Sequence, residues 1–210
     1  MQLTVFGASG KTGTCLLSQA LELGHDVTAF IRSPGTVALR HPHLDVVVGD
    51  VGRSDDVERV VNGQDVVLMA LGVAMGATDQ VCTIATTTIV PAMQKYGVRR
   101  LINVAGVGTG EAREQLGTLA RVIAGGLRVL DRHAFRDKEA QDELIRNSDL
   151  DWINVCPPWL TNGPHTGVYR FGCDLRPPVN AKISRADVAD FMLKQLVDPA
   201  FVRKNPILFY

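Results

Sequence analysis

Gly7-Ala8-Ser9-Gly10-Lys11-Thr12-Gly13 decides the fold. An apolar run, Leu3-Thr4-Val5-Phe6, precedes it, and an amphipathic stretch, Cys15 to Leu23, follows it. A strand, a glycine-rich turn and a helix in that order make a phosphate cradle. The helix start offers unpaired N–H groups and the positive end of its dipole. Glycine at position 7 permits the tight turn, Gly10 the approach of a pyrophosphate, and Gly13 the packing of helix on strand. Gly10-Lys11-Thr12 also looks like the end of a P-loop. That motif needs four residues between its glycines, and only two separate Gly7 from Gly10. A dinucleotide turn fits the spacing better than a Walker site.

Working outward, further apolar runs are expected as strands: Val27–Ile31, Leu44–Val48, Asp65–Ala70, Arg100–Val104 and Asp151–Val155. Helices are expected at Val57–Val61 with Ser54 as N-cap, at Thr78–Tyr96 and at Phe135–Arg146. A looser one, Glu111–Leu130, is interrupted by Gly117 and Gly125-Gly126. Ser184 caps a last helix, Arg185–Leu196, and Pro206–Phe209 closes the chain as a strand. From Trp159 to Asn180 the chain is rich in Gly and Pro and reads as loops, with a short strand near Val168–Arg170. Continuous apolar strands alternating with helices predict an α/β, Rossmann-type, doubly wound sheet. It is mostly parallel, covered on both faces, and one domain over residues 1–210.

The bulk numbers narrow the function classes. Twenty-two basic and 22 acidic residues cancel, which disfavours binding to nucleic acid or a membrane surface through bulk charge. Cys15, Cys82, Cys156 and Cys173 are scattered without a CxxC pair, as expected of reduced thiols in a cytoplasmic protein. No apolar run reaches membrane-spanning length, and no signal peptide is seen before the first strand. His25, His41 and His43 lack the spacing of a metal site.

In a doubly wound sheet, ligands sit beyond the carboxyl ends of the strands. Those ends are Gly7–Thr12, Arg32-Ser33, Asp50-Val51, Leu71-Gly72, Ala105-Gly106 and Pro157-Pro158-Trp159. Small residues there allow a dinucleotide to pass close to the backbone. An acidic residue about twenty positions after the glycine loop would bond a ribose 2′-hydroxyl and favour NAD. Arg32 stands there instead, and a guanidinium pairs with a 2′-phosphate, so NADP(H) is the expected cofactor. Asp50 either accepts from the adenine amino group beside Val51 or is a turn residue after Gly49. Trp159 is placed as a stacking wall in preference to a core residue, with His165 and Tyr169 in the loop over the acceptor. His133 is a candidate acid, or a histidine that caps its helix or faces solvent. Asp142-Glu143 and Asp55-Asp56 read as solvated helix faces.

These motifs resemble the atypical short-chain dehydrogenase/reductase group, and within it the NAD(P)H-binding proteins of the biliverdin reductase B or flavin reductase type. The resemblance rests on GASGKTG, VTAFIR, VVVGDV, VVLMALG, DKEAQDELIRNSDLDW leading into NVCPP, and ISRADVADFML. It implies reduction of flavins, biliverdin-type tetrapyrroles or quinones by NADPH, in a monomer or small homo-oligomer. It implies cofactor contacts from Gly7, Ser9, Gly10, Lys11, Thr12, Arg32, Ser33, Asp50, Val51, Leu71, Gly72 and Ala105, with Pro157-Pro158-Trp159 flanking the nicotinamide. The chain departs from the group in two places. None of Tyr96, Tyr169 and Tyr210 is followed by Lys at the Tyr-x-x-x-Lys spacing, and Ala105-Gly106 replaces a Thr-Ser pair. Lys138 stands where the reductases have a histidine. It would hold a phosphate or substrate carboxylate or donate a proton, or it is a solvated helix lysine beside Asp137 and Glu139. The departures leave a second reading open: a non-catalytic NADP(H)-binding sensor or regulatory protein.

Overall fold

The computed structural model describes residues 1–72 and 78–210, with the side chains of 111, 120, 123, 124 and 127 excepted. Six strands form one parallel sheet in the order β3-β2-β1-β4-β5-β6. They are β1 (Gln2–Phe6), β2 (Asp26–Ile31), β3 (Leu44–Val48), β4 (Val66–Met69), β5 (Arg100–Val104) and β6 (Asp151–Val155). The chain reverses its winding between β1 and β4, so the glycine turn after β1 lies at the topological switch point.

Alternation along each strand feeds two cores. Leu3, Val5, Val66, Leu68 and Ile102 face α1 (Lys11–Glu22) and α6 (Arg185–Lys194) through Leu17, Ala20, Val188 and Met192. Phe6, Val67, Met69 and Leu101 face the opposite layer, built from α2 (Ser54–Val61), α3 (Val81–Tyr96) and α5 (Arg132–Arg146). Thr4 shares that second face, and its hydroxyl donates to the Val60 carbonyl at 2.5 Å. The buried polar group is thereby satisfied.

Several expected features differ. Ser54 does not cap α2: it is the first helical residue, and the preceding Arg53 supplies no side-chain cap. The first helix begins at Lys11, directly off the glycine turn, and not at Cys15. The long helix α3 starts at Val81. The Glu111–Leu130 stretch divides at Gly117 into a 3-10 turn, Gly110–Gln115, and α4 (Thr118–Leu130). Residues of β3 are not covered on both faces. The strand is the sheet edge, and Val46 and Val48 are exposed there. The expected strand near Val168 is β8 (Arg170–Gly172), paired antiparallel with β10 (Ile207–Phe209). A further pair, β7 (Trp159–Thr161) with β9 (Lys182–Ser184), gives no signal at three residues each.

Ser184 does cap α6, accepting from the Asp187 N–H at 3.0 Å. Asp187 is fully buried and is held by five donors: Thr166 N–H and hydroxyl, Gly167 N–H, the Ser184 hydroxyl and the Tyr210 hydroxyl. Burial pushes its pKa up, but the hydrogen bonds led by Tyr210 outweigh this and bring it down to about 2. A depressed carboxylate contributes stability that is present above the unfolded-state pKa, near 4, and is lost as pH falls toward 2. Asp187→Asn is expected to be less stable than wild type at pH 7 by about 2 kcal/mol or more. Its urea midpoint should fall less than that of the wild type between pH 4 and pH 2.

Candidate functional site

The turn after β1 is built for close approach. Gly7 has φ +81°, and a Cβ on it would stand 2.6 Å from the Ala70 carbonyl oxygen at the end of β4. A Cβ on Gly13 would overlap the Gly7 carbonyl oxygen, so α1 packs onto the turn only because position 13 has no side chain. Gly10 is the extended N-cap residue of α1, and no side chain caps the first turn of the helix. Its N–H groups therefore have the arrangement that an anion completes.

A groove runs from this turn across the ends of β2, β3 and β4. Gly7, Ser9 and Gly10 form one end, Arg32, Asp50 and Val51 the other, and Leu71 and Gly72 the floor between them. The Arg32 guanidinium is exposed and has no ion-pair or hydrogen-bond partner among the described residues. Asp50 also makes its turn, its Oδ1 accepting from the Gly52 N–H at 2.8 Å. Lys11 and Thr12 sit on the first turn of α1, and Ser33 follows Arg32, but none of the three is among the groove walls. Asp79 and Val81, before and at the start of α3, complete the wall. Nothing at the sequence level marks them apart from their position after the β4 end. The groove across three strand ends, the glycine turn with no side-chain cap and the unpaired guanidinium fit a phosphorylated dinucleotide.

A second cavity of about 300 Å³ opens at the ends of β5 and β6. Ala105 and Pro157 belong here, and not to the groove. Two proline pairs, Pro157-Pro158 and Pro177-Pro178, form much of its wall. The first pair ends β6 because proline has no N–H to extend the ladder. Phe135 of α5 and Leu116 close another side. Trp159 stands at the mouth, 54% exposed, with its indole N–H donating to the Val179 carbonyl at 3.3 Å. Pro177–Val179 belongs to the Trp159–Asn180 loop region expected over the substrate site, whereas Phe135 and Leu116 escaped sequence reading. They arrive from segments distant in sequence, with no motif of their own.

Lys138 joins the two spaces. Its Nζ donates to the carbonyl oxygens of Leu71 at 2.7 Å and Val104 at 3.0 Å, and to Gln141 Oε1 at 2.9 Å. Its three hydrogens are thus committed to the ends of β4 and β5 and to its own helix. It is not a solvated lysine, and its neighbours Asp137 and Glu139 are both engaged by protein partners. Asp137 is 2% exposed and accepts from the N–H groups of Cys82 and Thr83 and from the Thr83 hydroxyl, capping α3 from another helix. Glu139 pairs with Arg128 at 2.5 Å. Asp142 is likewise buried, not solvated. It accepts from Asn154 Nδ2 at 2.8 Å and pairs with Arg146 at 3.0 Å. Glu143 is exposed, as expected.

Other candidates fall elsewhere. His133 is exposed on α5 and lines neither space. His165 and Tyr169 do not line the second cavity. His165 lies 3.3 Å from Asp190, and the Tyr169 hydroxyl donates to Asp190 at 2.5 Å. The acidic face of α6 has drawn both onto itself. Burial, then hydrogen bonding to Asp190, pushes the Tyr169 hydroxyl far up, which makes it a poor acid. Of the thiols nearest the site, Cys82 is pushed up to about 11 and Cys156 beyond that, both chiefly by burial. Neither is a thiolate nucleophile at neutral pH. Among the described residues, no group of His, Cys, Asp and Glu could hold a metal ion, and no helix is long and apolar enough to cross a membrane.

Residues 7–199 match a family model described as NAD(P)H-binding. The UPF0659 protein YMR090W of Saccharomyces cerevisiae is 26% identical over 98% of this chain and 91% of its own. Two solved structures share the fold over the whole chain. ChuY, an anaerobilin reductase from Escherichia coli O157:H7, is 23% identical with a TM-score of 0.81, covering 97% of that protein. A short-chain dehydrogenase/reductase from Veillonella parvula, solved in complex with NADP, is 20% identical with a TM-score of 0.81 over 94% of its length.

Proposed function

Because this chain belongs to the NAD(P)H-binding family, we propose that it is an NADPH-dependent reductase of a flat conjugated acceptor: a flavin, a biliverdin-type tetrapyrrole or a quinone. The observation that carries the reading is the apolar cavity at the end of β5, next in the sheet to the β4 end that floors the groove, with Lys138 bonded to both strand ends. An oxidoreductase-like fold is common to the neighbours, and the NADP complex and the tetrapyrrole reductase among them agree with this reading.

Bound NADPH supplies a hydride from its dihydronicotinamide ring. The chain's own part is to bind, orient and exclude water. The glycine turn and the first turn of α1 hold the pyrophosphate, and Arg32 holds the 2′-phosphate. The proline walls and Trp159 keep a flat acceptor against the end of β5. Among the described residues, no lining side chain is poised as a general acid, in keeping with the missing Tyr-x-x-x-Lys. This suits acceptors whose reduced anion is delocalised and takes its proton from water. A simple ketone, which would yield an alkoxide, needs an acid at hand.

Arg32→Ala is expected to weaken NADPH binding about 10- to 100-fold, the worth of a charge-assisted pair, while NADH binding changes little. Titration of each cofactor by calorimetry checks it, and equal losses would refute the 2′-phosphate assignment. The reductase reading is tested by NADPH absorbance with lumiflavin, FMN, biliverdin and naphthoquinones under anaerobic conditions. At least one acceptor should be reduced well above background. Tight NADPH binding with no oxidation of NADPH across the set would leave the sensor reading in its place.

A further inference from the structure

We infer that the acceptor is uncharged, a quinone in preference to a carboxylate-bearing tetrapyrrole or a flavin nucleotide. The inference rests on the reductase reading and follows from an account of the side-chain donors on the cavity wall. Three described side chains there can donate a hydrogen bond: Lys138, Thr109 and Trp159. All three are committed to protein acceptors. Lys138 Nζ bonds three oxygens, the Thr109 hydroxyl donates to the Gly106 carbonyl at 2.9 Å, and the Trp159 indole donates to Val179. Four prolines contribute wall without any N–H. The lone cation of the described wall is thus saturated, and an anionic group brought inside would lose its water and find no side-chain partner. A neutral ring system meets no such cost and buries its faces against proline, Phe135 and Trp159.

The reaction balances without a protein acid. A quinone takes up a hydride, two electrons and one proton, from NADPH and one further proton from water. It leaves as the hydroquinone while the cofactor leaves as NADP⁺. The hydroquinone monoanion formed first is a phenolate, of a type with pKa about 10, and does not need a positioned donor.

The test uses a matched pair, 1,4-naphthoquinone and 1,4-naphthoquinone-2-sulfonate, with wild-type protein and NADPH under anaerobic conditions. The sulfonate group withdraws electrons and makes the ring intrinsically easier to reduce, so chemistry alone favours the charged member. Discrimination by the wall should reverse this, giving the neutral quinone a kcat/KM at least about 30-fold higher after subtraction of the uncatalysed rate. Val179→Arg, at the exposed rim, places a free cation by the mouth and should narrow that ratio about tenfold. Equal or faster reduction of the sulfonate, or a ratio unmoved by Val179→Arg, would overturn the inference while the reductase reading stands. NADPH binding without reduction of any acceptor would instead overturn the reductase reading.

Discussion

Gly7→Ala is expected to lose NADPH binding about 100-fold or more and to lower stability by about 2–4 kcal/mol. Two costs combine. An L-residue at φ +81° pays about 1–2 kcal/mol for the left-handed conformation. The new Cβ also meets the Ala70 carbonyl oxygen at 2.6 Å and the Leu71 nitrogen at 2.9 Å. Both atoms are backbone, so relief must come from parting the β1 and β4 ends, where the groove floor lies. Gly24 is the control. Its φ is +78°, yet nothing lies within 4 Å of a Cβ built on it. Gly24→Ala should therefore cost about 1 kcal/mol and leave cofactor affinity unchanged. Urea unfolding and NADPH titration of the two variants separate conformational cost from close approach. Similar losses of binding in both would remove the glycine turn from the account of the cofactor site.

Lys138→Met is the second large effect. Methionine keeps an unbranched stem of similar length and removes the three donors. The Leu71 and Val104 carbonyls and Gln141 Oε1 then lose their shared partner. Unsatisfied groups of this kind cost about 1–3 kcal/mol each, and part of that is recovered by water because the site is half-buried. A net destabilisation of about 2–4 kcal/mol is expected, with kcat/KM for a naphthoquinone falling by at least about tenfold. Because Lys138 acts here through the strand ends, the shape of the pH–rate profile should be the same in variant and wild type. Loss of a pH-dependent limb in Lys138→Met would mark the lysine as a proton donor instead.

The sheet was legible because parallel strands buried on both faces read as uninterrupted apolar runs, as Val66–Met69 does. What escaped had another physical origin. Three-residue strands such as β7 and β9 are too short to show a period, and their pairing is set by tertiary contact. The α5 segment Asp137-Lys138-Glu139 has the composition of a solvated face. Asp137 is nonetheless buried because the start of α3 needs an acceptor, and Lys138 reaches inward to the ends of β4 and β5. Charge pattern on one helix cannot reveal a partner supplied by another. The cofactor half of the site was readable since glycine at strand ends has few other uses. The second cavity was readable at Ala105-Gly106, where small residues end a strand, and in the loop from Pro157-Pro158-Trp159, where proline marks it, but not at Phe135 or Leu116. His165 and Tyr169 belonged to the right segment, yet Asp187 and Asp190, three residues apart on α6, hold that part of the loop away from the cavity.

A crystal structure with NADP⁺ and an unreactive neutral quinone analogue tests the central claim most directly. The 2′-phosphate is expected at Arg32, the pyrophosphate on the Gly7–Gly10 turn, and the nicotinamide ring at Ala105 with one face open to the cavity holding the analogue below Trp159. A nicotinamide covered on both faces by protein, or an analogue bound out of reach of the ring, would contradict that claim.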